Sequence, residues 1–191
     1  MNNLKKWIFP AFVVIFAIAF SIIMNSLFMI VQVSGSSMNN TLQNKDVLFV
    51  DKLSAVNRGD VVVFDVSNDK YIKRVIAIEG DEIYFDEYNC VYLKKNGETE
   101  FTKLVEDYVY ANTYVPDYKG PTESSPLKIT EGGYYVLGDN RGNSEDSRIL
   151  GIISKDRING VVKESTIKSK GFITFIFGWT FDIKDFFSGL I

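Results

Sequence analysis

From Trp7 to Val33 the chain reads WIFPAFVVIFAIAFSIIMNSLFMIVQV, apolar throughout except for Ser21 and, toward its far end, Asn25, Ser26 and Gln32. As a single helix this run would be about 40 Å long at roughly 1.5 Å per residue, more than the roughly 30 Å hydrocarbon core of a bilayer. It lacks a polar face, which argues against the core helix of a water-soluble domain. A removed secretory signal is the competing reading, because Ala17-Ile18-Ala19 resembles a cleavage site. The sequence beyond that site stays apolar, so an uncleaved anchor over residues 7–33 is expected. Lys5 and Lys6 precede the run, and the positive-inside tendency assigns residues 1–6 to the cytoplasm. A single pass then puts everything after about Gln32 outside.

From Ser34 onward the pattern changes to short runs rich in Val, Ile, Phe and Tyr, divided by turn residues. DVLFVDKL (46–53), DVVVFDV (60–66) and YIKRVIAIEG (71–80) are the strongest strand candidates. EIYF (82–85), CVYLKK (90–95), GYYVLG (133–138) and RINGVVKE (157–164) follow. Ser67-Asn68-Asp69 is the turn of a hairpin between the second and third runs. Residues 96–132 are more polar and form a loop-rich excursion. The expected fold is mainly β, an antiparallel domain over residues 34–170 behind one N-terminal transmembrane helix. The tail, 171–191, is very aromatic. Phe172 to Phe181 is too short to span a bilayer, so the tail either packs on the core or lies in the membrane interface.

Composition narrows the chemistry. Apolar residues make up 46% and aromatic residues 14%, as in a folded chain. The net charge is −3, and the first 33 residues hold two lysines and no acid, so the remainder carries −5. Nothing in that balance calls for a nucleic-acid partner. There is no histidine and one cysteine, Cys90, which leaves the usual zinc sites without ligands. Hydrolysis would have to do without its commonest general base. Lysine is the available substitute for activating a serine, provided that burial lowers its pKa from about 10.4. Lys73 lies in an apolar strand between Ile72 and Val75. A strand lysine is also an ordinary edge guard, the serines at 34, 36 and 37 are also an ordinary exit from a membrane, and GDNRGNSEDSR (138–148) is also an ordinary surface loop.

In combination these stretches are specific. V-x-G-x-S-M-x-x-T-L at 33–42, R-G-D-V-V-V-F at 58–64, Y-I-K-R-V-I at 71–76 with G-D at 80–81, and G-D-N-R-x-x-S-x-D-S-R at 138–148 occur in this order behind one anchor. The chain resembles the bacterial type I signal peptidases, the Ser–Lys membrane proteases of family S26, in their Gram-positive form. The resemblance implies the antiparallel β fold shared with self-cleaving Ser–Lys repressors. It implies removal of signal peptides from exported preproteins at Ala-X-Ala sites on the outer face of the bacterial cell membrane, with no cofactor.

It also implies roles. Ser37, directly before Met38, matches the nucleophile, and Lys73 matches the general base. Ser144 matches the serine that orients the lysine amine. Asp146 and Arg148 match a supporting ion pair, joined by Arg74. Gly35 and Met38 fall in the pocket and oxyanion region. Where the other branch of the family has an oxyanion-hole serine, this chain has Gly35, so the hole must use the Ser37 N–H and a second donor. Asn40 stands where proline is frequent in the family, Glu79 before Gly80-Asp81 likewise, and Ala77 where glycine is frequent. The alternative is a catalytically inactive, anchored relative that binds peptides or scaffolds a secretion complex. Asn39-Asn40-Thr41 fits a glycosylation pattern that would crowd Ser37, so the enzyme reading prefers a bacterial host.

Overall fold

A computed structural model of the chain describes residues 3–109 and 120–188. Helix α1, Asn3–Leu27, includes the stretch Trp7–Leu27, which is long and apolar enough to cross a bilayer and has its side chains exposed. The helix stops six residues short of the expected end. Phe28–Gln32 is instead strand β1, paired antiparallel with β2, Val47–Asp51, from Phe28↔Asp51 to Gln32↔Val47. Hydropathy alone cannot see this break. Phe-Met-Ile-Val suits a pleated strand as well as a helix, and the choice falls to a partner strand that satisfies its backbone groups.

Strands β3, Val61–Val66, and β4, Asp69–Ile78, form the expected hairpin, closed at Val66↔Asp69 with Ser67 at φ +54. Next come β5, Glu82–Phe85; β6, Val91–Lys94; β7, Thr102–Lys103; and β8, Leu127–Lys128. The chain continues with β9, Gly133–Leu137; the short helix α2, Ser147–Leu150; β10, Ile153–Ser154; and β11, Ile158–Val162. Helix α3, Glu164–Ser188, closes the order. The main sheet runs β1-β2-β11-β3-β4-β9-β10, and a second sheet runs β7-β6-β5-β8. Among the described residues every strand pairing is antiparallel.

The polar excursion is thus partly a sheet of its own, built on the EIYF and CVYLKK strands. Residues 110–119 of that excursion lie outside the described residues. The β domain also ends earlier than expected, because Glu164 to Lys170 is the opening of α3 rather than strand or loop, with Glu164 at the helix end that favours negative charge. Two apolar clusters carry the site. One, with Ile83, Leu93, Tyr135 and Leu137, joins the second sheet to β4 and β9. The other, with Met38, Leu42, Val50 and Val63, lies beneath the serine turn. Arg58 grips the buried Asp81 with Nε and Nη2, both at 2.6 Å, and Asp81 also accepts the N–H groups of Ile78 and Asn96. Two motif fragments far apart in sequence thereby lock the hairpin to the second sheet.

Candidate active site

After β1 the chain folds back on itself. Val33 exchanges backbone hydrogen bonds with Lys45 and Asp46. Gly35 takes φ +91 and donates its N–H to Asn44 Oδ1 at 3.0 Å. A left-handed φ of this kind favours glycine. The turn then closes through Asn39 N–H on the Ser36 carbonyl and Leu42 N–H on the Met38 carbonyl. Met38 and Leu42 are buried, and they anchor the turn on the core while Ser37 stays half-exposed above it. Among the described residues, the Ser37 N–H has no hydrogen-bond partner. Asn40 has φ +88, a value closed to proline, whose ring fixes φ near −65°. The turn is therefore built differently from one with proline at this position.

Lys73 lies within β4, opposite Val62 of β3, and is only 4% exposed. Its Nζ donates to Ser37 Oγ at 2.8 Å and to the Ile72 carbonyl at 3.0 Å. Burial pulls its pKa below that of an ordinary lysine, and the carboxylates of Asp146, Glu145 and Asp139 oppose that shift without cancelling it. A lysine that a strand pattern would assign to solvent is thus a buried amine in contact with a hydroxyl.

The loop 138–148 holds the serine turn from the other side. Asn140 donates its backbone N–H to the Ser37 carbonyl at 2.9 Å and its side-chain amide to the Ser36 carbonyl at 3.1 Å. Asn143 Nδ2 donates to Ser36 Oγ at 2.7 Å. Asp146 caps α2, accepts the Gly138 N–H at 3.0 Å and pairs with Arg148 at 2.8 Å, as expected of that pair. Arg148 also donates to the Arg141 carbonyl.

Two expected contacts differ. Arg74 does not join Asp146; its Nε and Nη2 hold the buried Asp139 at 2.8 and 2.6 Å. Thr41 Oγ1 donates to the same carboxylate. Asp146 already has its acceptor sites filled by Arg148 and by backbone, whereas Asp139 stands free to meet Arg74. Ser144 makes no hydrogen bond to Lys73: its Oγ is buried without a partner and lies against the face of Gly138, where a Cβ would come within 2.2 Å of it. The Ile72 carbonyl orients the amine instead.

These elements surround a cleft of about 490 Å³ lined by Gly35, Ser37, Met38, Tyr71, Lys73 and Glu145 among others. Among the described residues, no three His, Cys, Asp or Glu side chains gather as a metal site.

The family model for signal peptidase, peptidase S26, matches residues 4–166. The chain belongs to the signal peptidase family. Signal peptidase I of Bacillus amyloliquefaciens is 35% identical over 150 residues, 74% of this chain and 77% of that protein. Signal peptidase IB of Staphylococcus aureus is 33% identical over 177 residues, 84% of this chain and 88% of that protein. The crystal structure of a signal peptidase I from Enterococcus faecalis overlaps 58% of this chain and 98% of that one, at 24% identity and a TM-score of 0.43, too distant to bear on the geometry.

Within this signal peptidase, sequence reasoning passed over several residues of the site. Asp139 and Asn140 sit inside the quoted G-D-N-R motif, but their contacts with Arg74 and Ser37 are long-range. Glu106 and Tyr108 had no signal at all. Glu106 accepts from Arg141 Nη2 and from Tyr108 OH, and the Tyr108 ring lies 4.0 Å from the Arg74 guanidinium carbon. Burial first, then the Glu106 carboxylate, push the Tyr108 hydroxyl well above its ordinary pKa, so it stays a donor. The excursion thus reaches back to brace the arginine next to Lys73.

Proposed function

We propose that this protein is a type I signal peptidase that removes signal peptides from exported preproteins, with Ser37 as nucleophile and Lys73 as general base. The observation that carries this reading is the 2.8 Å contact between Oγ of the half-exposed Ser37 and Nζ of the buried Lys73. With the amine neutral, the contact can also run from hydroxyl to nitrogen. The Ser37 proton then passes to Lys73 as Oγ bonds to the scissile carbonyl carbon. The unpaired Ser37 N–H is available to the oxyanion, a contribution of roughly 3–4 kcal/mol per donor. The C–N bond breaks and Lys73 returns the proton to the leaving amine. Water then attacks the acyl ester, giving a proton to Lys73, which passes it back to Ser37 Oγ. Asp146, Arg148 and Arg74 act as positioning residues, Ser144 packs against Gly138 without touching the amine, and the cleft beside Gly35 and Met38 takes the small residues of an Ala-X-Ala site.

Helix α1 is the single membrane anchor, with the lysine-bearing end in the cytoplasm and the sheets outside. Substrates are then themselves held in the bilayer. The test is cleavage of an Ala-X-Ala precursor by the wild type, Ser37→Ala and Lys73→Ala, each checked for folding by circular dichroism. Loss in both variants is expected. Retained cleavage in either folded variant would reject the assigned roles.

A further inference from the structure

Helix α3 has two apolar stripes. Ile167, Ile173 and Phe177 face the sheet: Ile167 joins the cluster under the serine turn, Ile173 is buried, and Phe177 meets Phe49 of β2 edge-on with ring centroids 5.5 Å apart. Thr174 Oγ1 accepts the Val47 N–H at 2.8 Å, and Lys170 pairs with Asp46 at 3.0 Å. At 3.6 residues per turn, Phe172, Phe175, Ile176 and Trp179 fall on the opposite side of the helix. Phe175 is 84% exposed, Phe172 68% and Trp179 60%. The spacing i, i+3, i+4, i+7 makes this a second continuous apolar surface, and a folded domain does not ordinarily leave such a surface in water.

The position of α3 says what covers it. Strand β1 follows α1 without a break, and β1 pairs along its whole length with β2, the strand on which α3 packs. Phe49 lies opposite Ile30, three residues or roughly 10 Å of strand beyond Leu27. Lys52 ties the end of β2 to α1, with its N–H on the Leu27 carbonyl at 3.0 Å and its Nζ on the Asn25 carbonyl at 2.7 Å. Phe28 and Leu53 are exposed at the same corner. Helix α3 therefore packs on the strand paired with the segment that leaves the bilayer, and Trp179 is of the residue type that favours the headgroup level.

On the reading of this chain as an anchored signal peptidase, we propose that the outer stripe of α3 lies in the headgroup region of the same bilayer, so that the main sheet rests on the membrane at two points. Such an element needs no spanning length, only a buried apolar face. It would hold the serine turn at a fixed height over the membrane, where a signal segment presents its scissile bond.

The chain has two tryptophans, Trp7 and Trp179, so a full-length Trp7→Phe protein reports on Trp179 alone. It is reconstituted in phosphatidylcholine–phosphatidylglycerol vesicles containing lipids brominated near the headgroup end of the acyl chain. Strong quenching of Trp179 by these lipids, with protection from iodide in the water, is expected. Free access to iodide would overturn the proposal. So would protection from both quenchers, which would mean that a protein partner or a second copy covers the stripe. In the second arm, Phe175→Ser/Trp179→Ser is expected to lower cleavage of a bilayer-held precursor several-fold and leave cleavage of a short soluble peptide unchanged. Equal loss on both substrates would count against the membrane role. If the wild type cleaves neither substrate, the peptidase reading fails while the quenching still decides the placement of α3.

Discussion

Arg74 and Asp139 form a two-pronged ion pair, 2.8 and 2.6 Å, with the carboxylate fully buried and the guanidinium nearly so. Thr41, four residues after Ser37, completes the junction, and Arg74 follows Lys73 directly. The Ser37 turn and the Lys73 strand are therefore tied through one carboxylate. Removing it strands a buried guanidinium, a loss of about 3–5 kcal/mol where such pairs have been broken. Asp139→Ala is expected to lower unfolding free energy in urea by about that amount. It should also slow precursor cleavage more than about tenfold. Arg74→Ala/Asp139→Ala should lose less than the sum of the single variants. Additive losses would show that the two residues act separately.

The buried amine sets the pH dependence. The folded pKa of Lys73 lies below its unfolded value, because burial disfavours the charged form. Between the two values the unfolded chain binds more protons, so stability rises with pH across that window, and below the folded pKa the penalty is fully present. With Lys73 as the proposed general base, cleavage needs the neutral amine, and kcat/KM should fall as pH drops through the folded value. Lys73→Met should abolish cleavage and raise Tm at neutral pH. A rate that stays flat down to about pH 5 would contradict the general-base role.

Gly138 has no room for a side chain. A Cβ there would lie 2.2 Å from Ser144 Oγ and 2.6 Å from the Ser37 carbonyl oxygen. Gly138→Ala is expected to push the Ser37 turn out of place, with at least a tenfold loss of cleavage at unchanged KM, roughly 1.4 kcal/mol in the barrier. Adding Ser144→Gly should not restore activity, since the clash with the Ser37 carbonyl remains. Full rescue by that second change would show that only Ser144 matters.

Asn40 makes the opposite prediction from its family position. Proline is frequent there, yet the φ of +88 and the bond from Asn40 Nδ2 to the Tyr108 carbonyl at 3.1 Å exclude it in this chain. Asn40→Pro should lower both Tm and cleavage, whereas Asn40→Gly should keep most of each, because glycine accepts the left-handed conformation. A proline variant as stable and active as the wild type would show that the turn adopts the other form.

The sequence by itself determined the long apolar N-terminal helix, most of the strands and, by resemblance, the pairing of Ser37 with Lys73. Apolar runs, alternation and turn residues are local signals, and a motif such as G-D-N-R-x-x-S-x-D-S-R survives in the linear text. Only the tertiary structure decided where α1 gives way to β1, because the alternative to a helix was a strand pairing 15–23 residues away in the chain. It alone decided that Arg74 meets Asp139 rather than Asp146, that the Ile72 carbonyl rather than Ser144 holds the amine, and that Glu106 and Tyr108 reach the site. Each of those outcomes is a competition among buried polar groups for a limited number of partners. Such a competition is settled by which groups the packed sheets bring within about 3 Å, a distance that no spacing along the chain encodes.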